Sequence, residues 1–263
     1  MEPKILFCDI ETSPIVAYVW GLRDQNIALN QIKEDWSVLS WAAKWKGDKK
    51  IHYSDVRGQR NLRDDKKLLK GIHALLNAAD IVIWHYGKNF DRKKLNARFI
   101  QHKMKPPSEY RQLDTKEIAS REFAFTSNKL EYISGVSGSG KKSQHKKFPG
   151  MELWTECLKG NLEAFKEMEA YNKQDIVALE QSYDWMQAWD TKSINFNIYR
   201  TDQITNKCNC GSSNFTKDGK RPTNAGIFQK YRCVDCGKGW VDRGAANNSM
   251  SKEKRSGLKR VQT

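Results

Sequence analysis

Apolar positions along the first 190 residues switch between strand-like runs and helical spacing. Lys4 to Ile10 is a nearly unbroken apolar run, as expected of a strand covered on both faces. It ends at Glu11, Thr12, Ser13 and Pro14, because proline cannot donate to a ladder. Residues 37–46 and 49–55 read as two further strands joined at Gly47 and Asp48, a hairpin turn signal. From Leu62 to Ala79 the positions Leu62, Leu68, Leu69, Ile72, Leu75 and Leu76 recur on one side of a helix. Asp80 to His85 returns to a short apolar strand. Helix follows from Asp91 to His102 and stops before Pro106 and Pro107. A short strand at Gln112 and Leu113 leads into a helix from Thr115 to Phe123, and Ser127 to Ile133 reads as another. The longest helix expected runs from Leu162 to Trp189. This order predicts an α/β domain with a mixed sheet and helices on its faces.

Beyond residue 190 the periodicity disappears, and Asn, Thr, Gly and Lys dominate. The expected organisation is a domain over 1–190, a linker over 191–206, a small cysteine-containing module over 207–246 and a disordered basic tail over 247–263. The glycine- and lysine-rich loop expected from Gly135 to Lys147 carries Lys141 and Lys142, candidate contacts for a polyanion such as nucleic acid, or else is simply a mobile basic loop. Charge sharpens the division. The chain carries a formal +15, and residues 191–263 hold 15 Lys and Arg against 5 Asp and Glu. So lopsided a segment attracts polyanions, of which nucleic acid is the commonest. No stretch approaches the ~18 apolar residues of a membrane span. The first residues lack the apolar core of an export signal, so a soluble cytoplasmic protein is expected.

Candidate chemistry begins with carboxylates. Asp9 and Glu11 are two apart on the first strand, so both project from one face near its end. Asp91 opens a helix, where an acid also serves as an ordinary cap or dipole partner. Tyr171 and Asp175 are four apart and stack on one face of the long helix. Each piece is modest alone, and solvated surface carboxylates would account for any one of them.

Together they resemble the DEDD family of 3′→5′ exonucleases. Its first motif is matched by Phe7 to Thr12, its second by His85 to Asp91, and its third by Tyr171 with Asp175. Tyrosine rather than histidine four residues before the last acid is similar to the DEDDy branch. The resemblance covers about residues 4–185 and is strongest to stand-alone relatives of polymerase proofreading domains, many of them phage-encoded. It implies an RNase H-like fold and two catalytic Mg²⁺ or Mn²⁺ ions held by Asp9, Glu11, Asp91 and Asp175, with Tyr171 orienting the attacking water. Hard cations suit oxygen donors, and a pair of them clamps both ends of an in-line displacement at phosphorus. Single-stranded DNA is the implied substrate, and attachment to a DNA polymerase or other replication protein stays open. If the chain is phage-encoded, its place is the host cytoplasm. Related second motifs often read His-Asn-Gly, whereas Tyr86 stands at the middle position here.

Four of the six cysteines form two close pairs, Cys208 with Cys210 and Cys233 with Cys236. In a chain without an export signal such pairs read as a metal site, here one structural Zn²⁺ bound by four thiolates. The first pair is C-x-C, where C-x₂-C is usual. The segment resembles the zinc ribbons of transposase-like and other nucleic-acid-binding proteins. Lys220, Arg221, Lys230, Tyr231 and Arg232, with Lys217 and Lys238 nearby, are its candidate nucleic-acid contacts. Tyr231 and Trp240 equally suit the module's own core. Two other readings remain: a non-catalytic nucleic-acid-binding protein on a nuclease-like scaffold, and an RNase H-like endonuclease.

Overall fold

The computed structural model describes residues 2–138, 147–199, 208–223 and 226–241. In chain order the elements are β1 (Ile5–Thr12), β2 (Val16–Ala17), β3 (Ile32–Glu34), β4 (Val38–Trp45), β5 (His52–Asp55), α1 (Lys66–Ala78), β6 (Ile81–Trp84), α2 (Asp91–Gln101), β7 (Arg111–Asp114), α3 (Thr115–Glu122), α4 (Leu130–Val136), α5 (Glu152–Leu158), α6 (Leu162–Met186), β8 (Phe215–Thr223), β9 (Gly226–Cys233) and β10 (Gly239–Val241). Packing divides the chain into two compact units, Lys4–Tyr183 and a second beginning at Asp184.

In the first unit five strands form a sheet in the order β5-β4-β1-β6-β7. β1 pairs antiparallel with β4 and parallel with β6, which in turn runs parallel to β7. β1 therefore lies at the centre of a mixed sheet. Its even-numbered residues Leu6, Cys8 and Ile10 enter one core cluster with Leu68, Leu69, Ile72 and Leu76 of α1 and Leu95 and Phe99 of α2. The indole of Trp41, opposite Ile10, donates to the Leu68 carbonyl at 3.0 Å and fixes α1 on that face. Odd-numbered residues face α6. Phe7 meets Tyr183 edge-on with ring centroids 6.0 Å apart, and Lys44, opposite Phe7, pairs with Glu180.

Several boundaries differ from the sequence pattern for local reasons. α1 starts at Lys66 rather than Leu62, because the Asn61 and Asp64 side chains accept from the amides of Arg63 and Lys66 and turn the chain first. Asp65 is fully buried. It accepts from the Val38 amide at 2.9 Å, from Arg98 through two bonds of 2.7 Å and from His102, tying β4, α1 and α2 together. The helix expected over 127–133 begins at Leu130 and reaches Val136. The small β2–β3 pair and α5 have no counterpart in the predicted elements.

In the second unit β8, β9 and β10 form an antiparallel sheet in the order β10-β9-β8. Residues 191–199, expected to open a linker, are described and hydrogen-bond to the cysteine module. The Phe196 amide donates to Asn209, and the Asn197 side chain donates to the Cys208 carbonyl. Among the described residues no helix is long and apolar enough to cross a membrane.

Candidate active site and cysteine centre

The end of β1 and the middle of α6 come together because α6 lies along the odd face of β1. Asn172 touches Asp9 at one end of this contact and Tyr183 touches Phe7 at the other. The helix thereby carries Asp175 to the strand end where Asp9 and Glu11 project. One oxygen from each of these three acids lies within 4.8 Å of the other two. Around a hard cation at about 2.1 Å, ligand oxygens sit about 3 Å apart at right angles and about 4.2 Å apart when opposite. Three oxygens this close need only small side-chain shifts to share such an ion. Without one, like charges so near each other repel. The donor set fits Mg²⁺ or Mn²⁺.

Asp91, the fourth acid expected, is placed differently. It begins α2 and is nearly fully buried, with Oδ1 accepting from the Ile10 amide at 3.0 Å, midway between Asp9 and Glu11 in the chain. It thus lies against β1 but outside the three-acid cluster. Burial pushes its carboxyl up to about 7, opposed by the Ile10 amide and its own, with the Asp114 carboxylate pushing further upward. Phe90, the residue before Asp91, is more than a third exposed and faces the Lys94 ammonium, 5.6 Å from the ring centre. The helix start turns its ring outward.

The loop between β6 and α2 carries the second motif and is held at several points. Buried Asp114 accepts from the amides of Tyr86, Lys88 and Lys116. The His85 ring bonds Thr115 Oγ1 and the Asn128 carbonyl, both at 2.9 Å. Tyr86 adopts a left-handed φ of 67°, uncommon for a bulky residue. Gly87 packs so closely on Trp84 that an added Cβ would meet the Trp84 Cβ at 2.4 Å. Gly87→Ala is therefore expected to destabilise the chain by about 1–3 kcal/mol through overpacking. Thermal unfolding checks this; an unchanged melting temperature would mean that the loop relaxes freely.

Asn172 and Trp154 are functional candidates absent from the sequence reading. Asn172 is fully buried; its Nδ2 donates to Asp9 Oδ2 at 2.6 Å and its Oδ1 accepts from Ser40 at 3.0 Å. Ser40 thereby sets the orientation of the amide, and the amide sets that of Asp9. Partners of this kind typically cost 10- to 100-fold in metal affinity or activity when removed. Asn172→Ala is expected to weaken Mn²⁺ binding by about that factor. Calorimetric titration measures it, and wild-type affinity in the variant would remove Asn172 from the site. The Trp154 indole donates to Glu11 Oε2 at 3.0 Å, and its ring stands edge-on to Tyr171 with centroids 6.0 Å apart. An asparagine beside the Tyr171 motif was a weak cue to the first; nothing local marked the second.

The other two thiols, Cys8 and Cys157, are buried. Burial, reinforced by Asp91 and Asp9, pushes Cys8 well up, and burial raises Cys157 to about 12. In the second unit one sulfur from each of Cys208, Cys210, Cys233 and Cys236 lies within 4.8 Å of the other three. Cys208 and Cys236 are 3.5 Å apart, and Cys210 and Cys233 are 3.8 Å apart. A tetrahedron with Zn–S of about 2.3 Å has sulfurs about 3.8 Å apart, so the short C-x-C spacing still yields a fitting set. A hydrogen bond from the Cys208 thiol draws Cys210 down to about 5 and, reciprocally, pushes Cys208 up.

Of the expected nucleic-acid contacts, Lys141 and Lys142 lie outside the described residues. Lys220 and Arg221 are exposed on β8, and Lys230 is half-buried. Arg232 is paired with Asp218 at 3.0 Å and donates to the Gly237 carbonyl. Tyr231 stacks on Trp240, with Phe215 edge-on to both, so it belongs to the module's own aromatic cluster. Lys238 donates to the Asp190 carbonyl and Ser193, which makes it a structural tie.

A mixed five-stranded sheet flanked by helices, with acids at the end of its central strand, is an RNase H-like arrangement. The chain belongs to the RNase_H superfamily, whose family model matches residues 6–187. Among solved structures it is similar to the family B DNA polymerase of the hyperthermophilic archaeon Pyrobaculum calidifontis, with a TM-score of 0.52 and 14% identity. That match covers 72% of this chain and 26% of the polymerase chain, so this chain corresponds to about a quarter of that protein, and the likeness is one of fold. No curated protein sequence matches the chain. Membership of the superfamily supports a nuclease-type function on nucleic acid.

Proposed function

We propose that the chain is a 3′→5′ exonuclease dependent on two divalent metal ions, acting on single-stranded DNA, with a zinc ribbon in its second unit that helps hold the strand. The observation that carries this reading is the cluster of Asp9, Glu11 and Asp175, with Tyr171 one helical turn before Asp175. Bound Mg²⁺ or Mn²⁺ would supply an activated water and charge stabilisation at the phosphoryl and leaving oxygens. Asp9, Glu11 and Asp175 would hold these ions, and Asp91 would join them through coordinated water. Tyr171 would orient the attacking water by hydrogen bonding, since an ordinary phenol stays protonated at neutral pH. Asn172 and Trp154 would keep Asp9 and Glu11 aimed. The four cysteines would hold one Zn²⁺ in a closed structural site, and the exposed Lys220 and Arg221 would meet phosphates.

A 5′-labelled single-stranded oligonucleotide incubated with Mg²⁺ or Mn²⁺ should shorten stepwise from its 3′ end, and EDTA should stop it. Internal cuts would instead indicate an endonuclease. Binding without cleavage would leave a nucleic-acid-binding protein on a nuclease scaffold.

A further inference from the structure

Between β1 and β4 the chain makes an excursion from the five-stranded sheet, and this excursion is apolar where it meets solvent. Of the nineteen large hydrophobic side chains exposed among the described residues, eight lie between Ile15 and Leu29. Trp20 is 97% exposed, Leu22 99%, Leu29 85% and Tyr18 68%. A hydrophobic side chain exposed singly is ordinary, but a concentration of them marks an interaction surface. The base of the excursion is held in place. β2 pairs with β3, the Tyr18 amide donates to the Gln31 carbonyl at 2.9 Å, and Gln31 Nε2 donates to the Tyr18 carbonyl at 3.0 Å. Arg63 donates to the carbonyls of Pro14 and Asp35 and pairs with Glu34, so one guanidinium joins both ends. The apolar side chains are thereby presented on a fixed base, which lowers the ordering cost of docking. A two-stranded pair is marginal by itself and gains from a cover.

We infer that residues 15–29 are a docking surface for a second copy of this chain, joined about a twofold axis. This goes beyond the exonuclease reading and does not depend on it. Size is the first ground. A large aromatic side chain offers ~150–250 Å², so the eight side chains together expose on the order of 800 Å². That equals one partner's share of a standard stable interface, ~800 Å², and exceeds the ~300–600 Å² of the largest apolar patch on an ordinary monomer. Charge is the second. Residues 15–36 hold two basic side chains, Arg23 and Lys33, against three acids, Asp24, Glu34 and Asp35, a net −1 in a chain of +15. A nucleic-acid strand finds little here to neutralise its phosphates. Two chains of +15 repel, and this excursion is where they can approach with least repulsion. It is also self-complementary, since Arg23 and Asp24 are adjacent, exposed and of opposite sign. A twofold contact sets each against its opposite in the other copy.

Sedimentation velocity on the full chain, cleared of nucleic acid and run as a dilution series at low and high salt, tests this. An interface of this size binds at about micromolar or tighter, so the wild type should sediment as a dimer at tens of micromolar. Salt screens the repulsion between the two basic chains and leaves the apolar contact, so the dimer should strengthen as salt rises. Binding to nucleic acid has the opposite dependence. Trp20→Ser should weaken association by about 30-fold or more, as the loss of a central aromatic anchor does. Leu22→Ser, equally exposed, should act in the same direction and serves if Trp20→Ser does not fold. A wild type that is monomeric throughout the series overturns the inference. So does a dimer of wild-type strength in the folded variants, or an association that weakens with salt. If the wild type is monomeric and Trp20→Ser loses affinity for a single-stranded oligonucleotide, nucleic acid occupies the surface instead. The end-labelled digest tests the exonuclease separately, and its failure would leave the interface standing.

Discussion

Asp175→Asn is expected to leave a folded chain that no longer shortens oligonucleotides from the 3′ end. The amide has nearly the shape of the carboxylate, so the packing of this buried position on α6 is kept while one negative oxygen is removed from a cluster of three. Stabilisation of transition-state charge by a bound metal is worth several kcal/mol, and each 1.36 kcal/mol is tenfold in rate. The loss should therefore reach about 10³-fold or more in kcat, read from initial rates under saturating Mg²⁺. The same change should lower metal affinity measured by calorimetry. A variant that digests at wild-type rate would show that the three acids are merely neighbours. Asp9→Asn should do the same and should additionally disturb Asn172, whose amide donates to the Asp9 oxygen.

Cys233→Ser should remove the bound zinc from the second unit and unfold its sheet. Among the described residues the three strands carry Phe215, Tyr231 and Trp240 as an aromatic cluster, each partly exposed, and the unit's buried Met186, Ile194 and Phe196 precede them, which is little apolar burial to hold three strands. Structural Zn²⁺ contributes an apparent ~10–16 kcal/mol in small modules of this kind. Elemental analysis should find one zinc per wild-type chain and none in the variant. Amide exchange in β8, β9 and β10 should lose its protection. Because binding four thiolates releases protons, zinc affinity should fall as pH is lowered. A variant that keeps its zinc, or a sheet that survives a strong chelator, would mean that packing holds the ribbon.

Much of this was legible along the chain. β1, β4, β6, α2 and α6 follow from runs of apolar residues and from helical spacing, because these signals are local. The pairing of Asp9 with Glu11 and of Tyr171 with Asp175 follows from periods of two and four residues. The cysteine pairs were equally plain. α5 escaped notice: it is a seven-residue helix after a basic loop, too short for a periodic signal, yet it brings Trp154 to Glu11. The grip of Asp114, Thr115 and Asn128 on the second motif is also invisible locally, since the partners are some 26 to 43 residues apart.

By its own spacing, then, the chain determined which acids share a face and which sulfurs form pairs, since backbone periods of strand and helix carry that information within a few residues. Tertiary packing alone decided that Asp175 reaches Asp9 and Glu11 while Asp91 turns instead to the Ile10 amide. It also decided that Tyr231 and Lys238 serve their own module. Those outcomes depend on how α6 lies along β1 and on which backbone donors a buried carboxylate can find. Both are settled by contacts between segments far apart in the sequence.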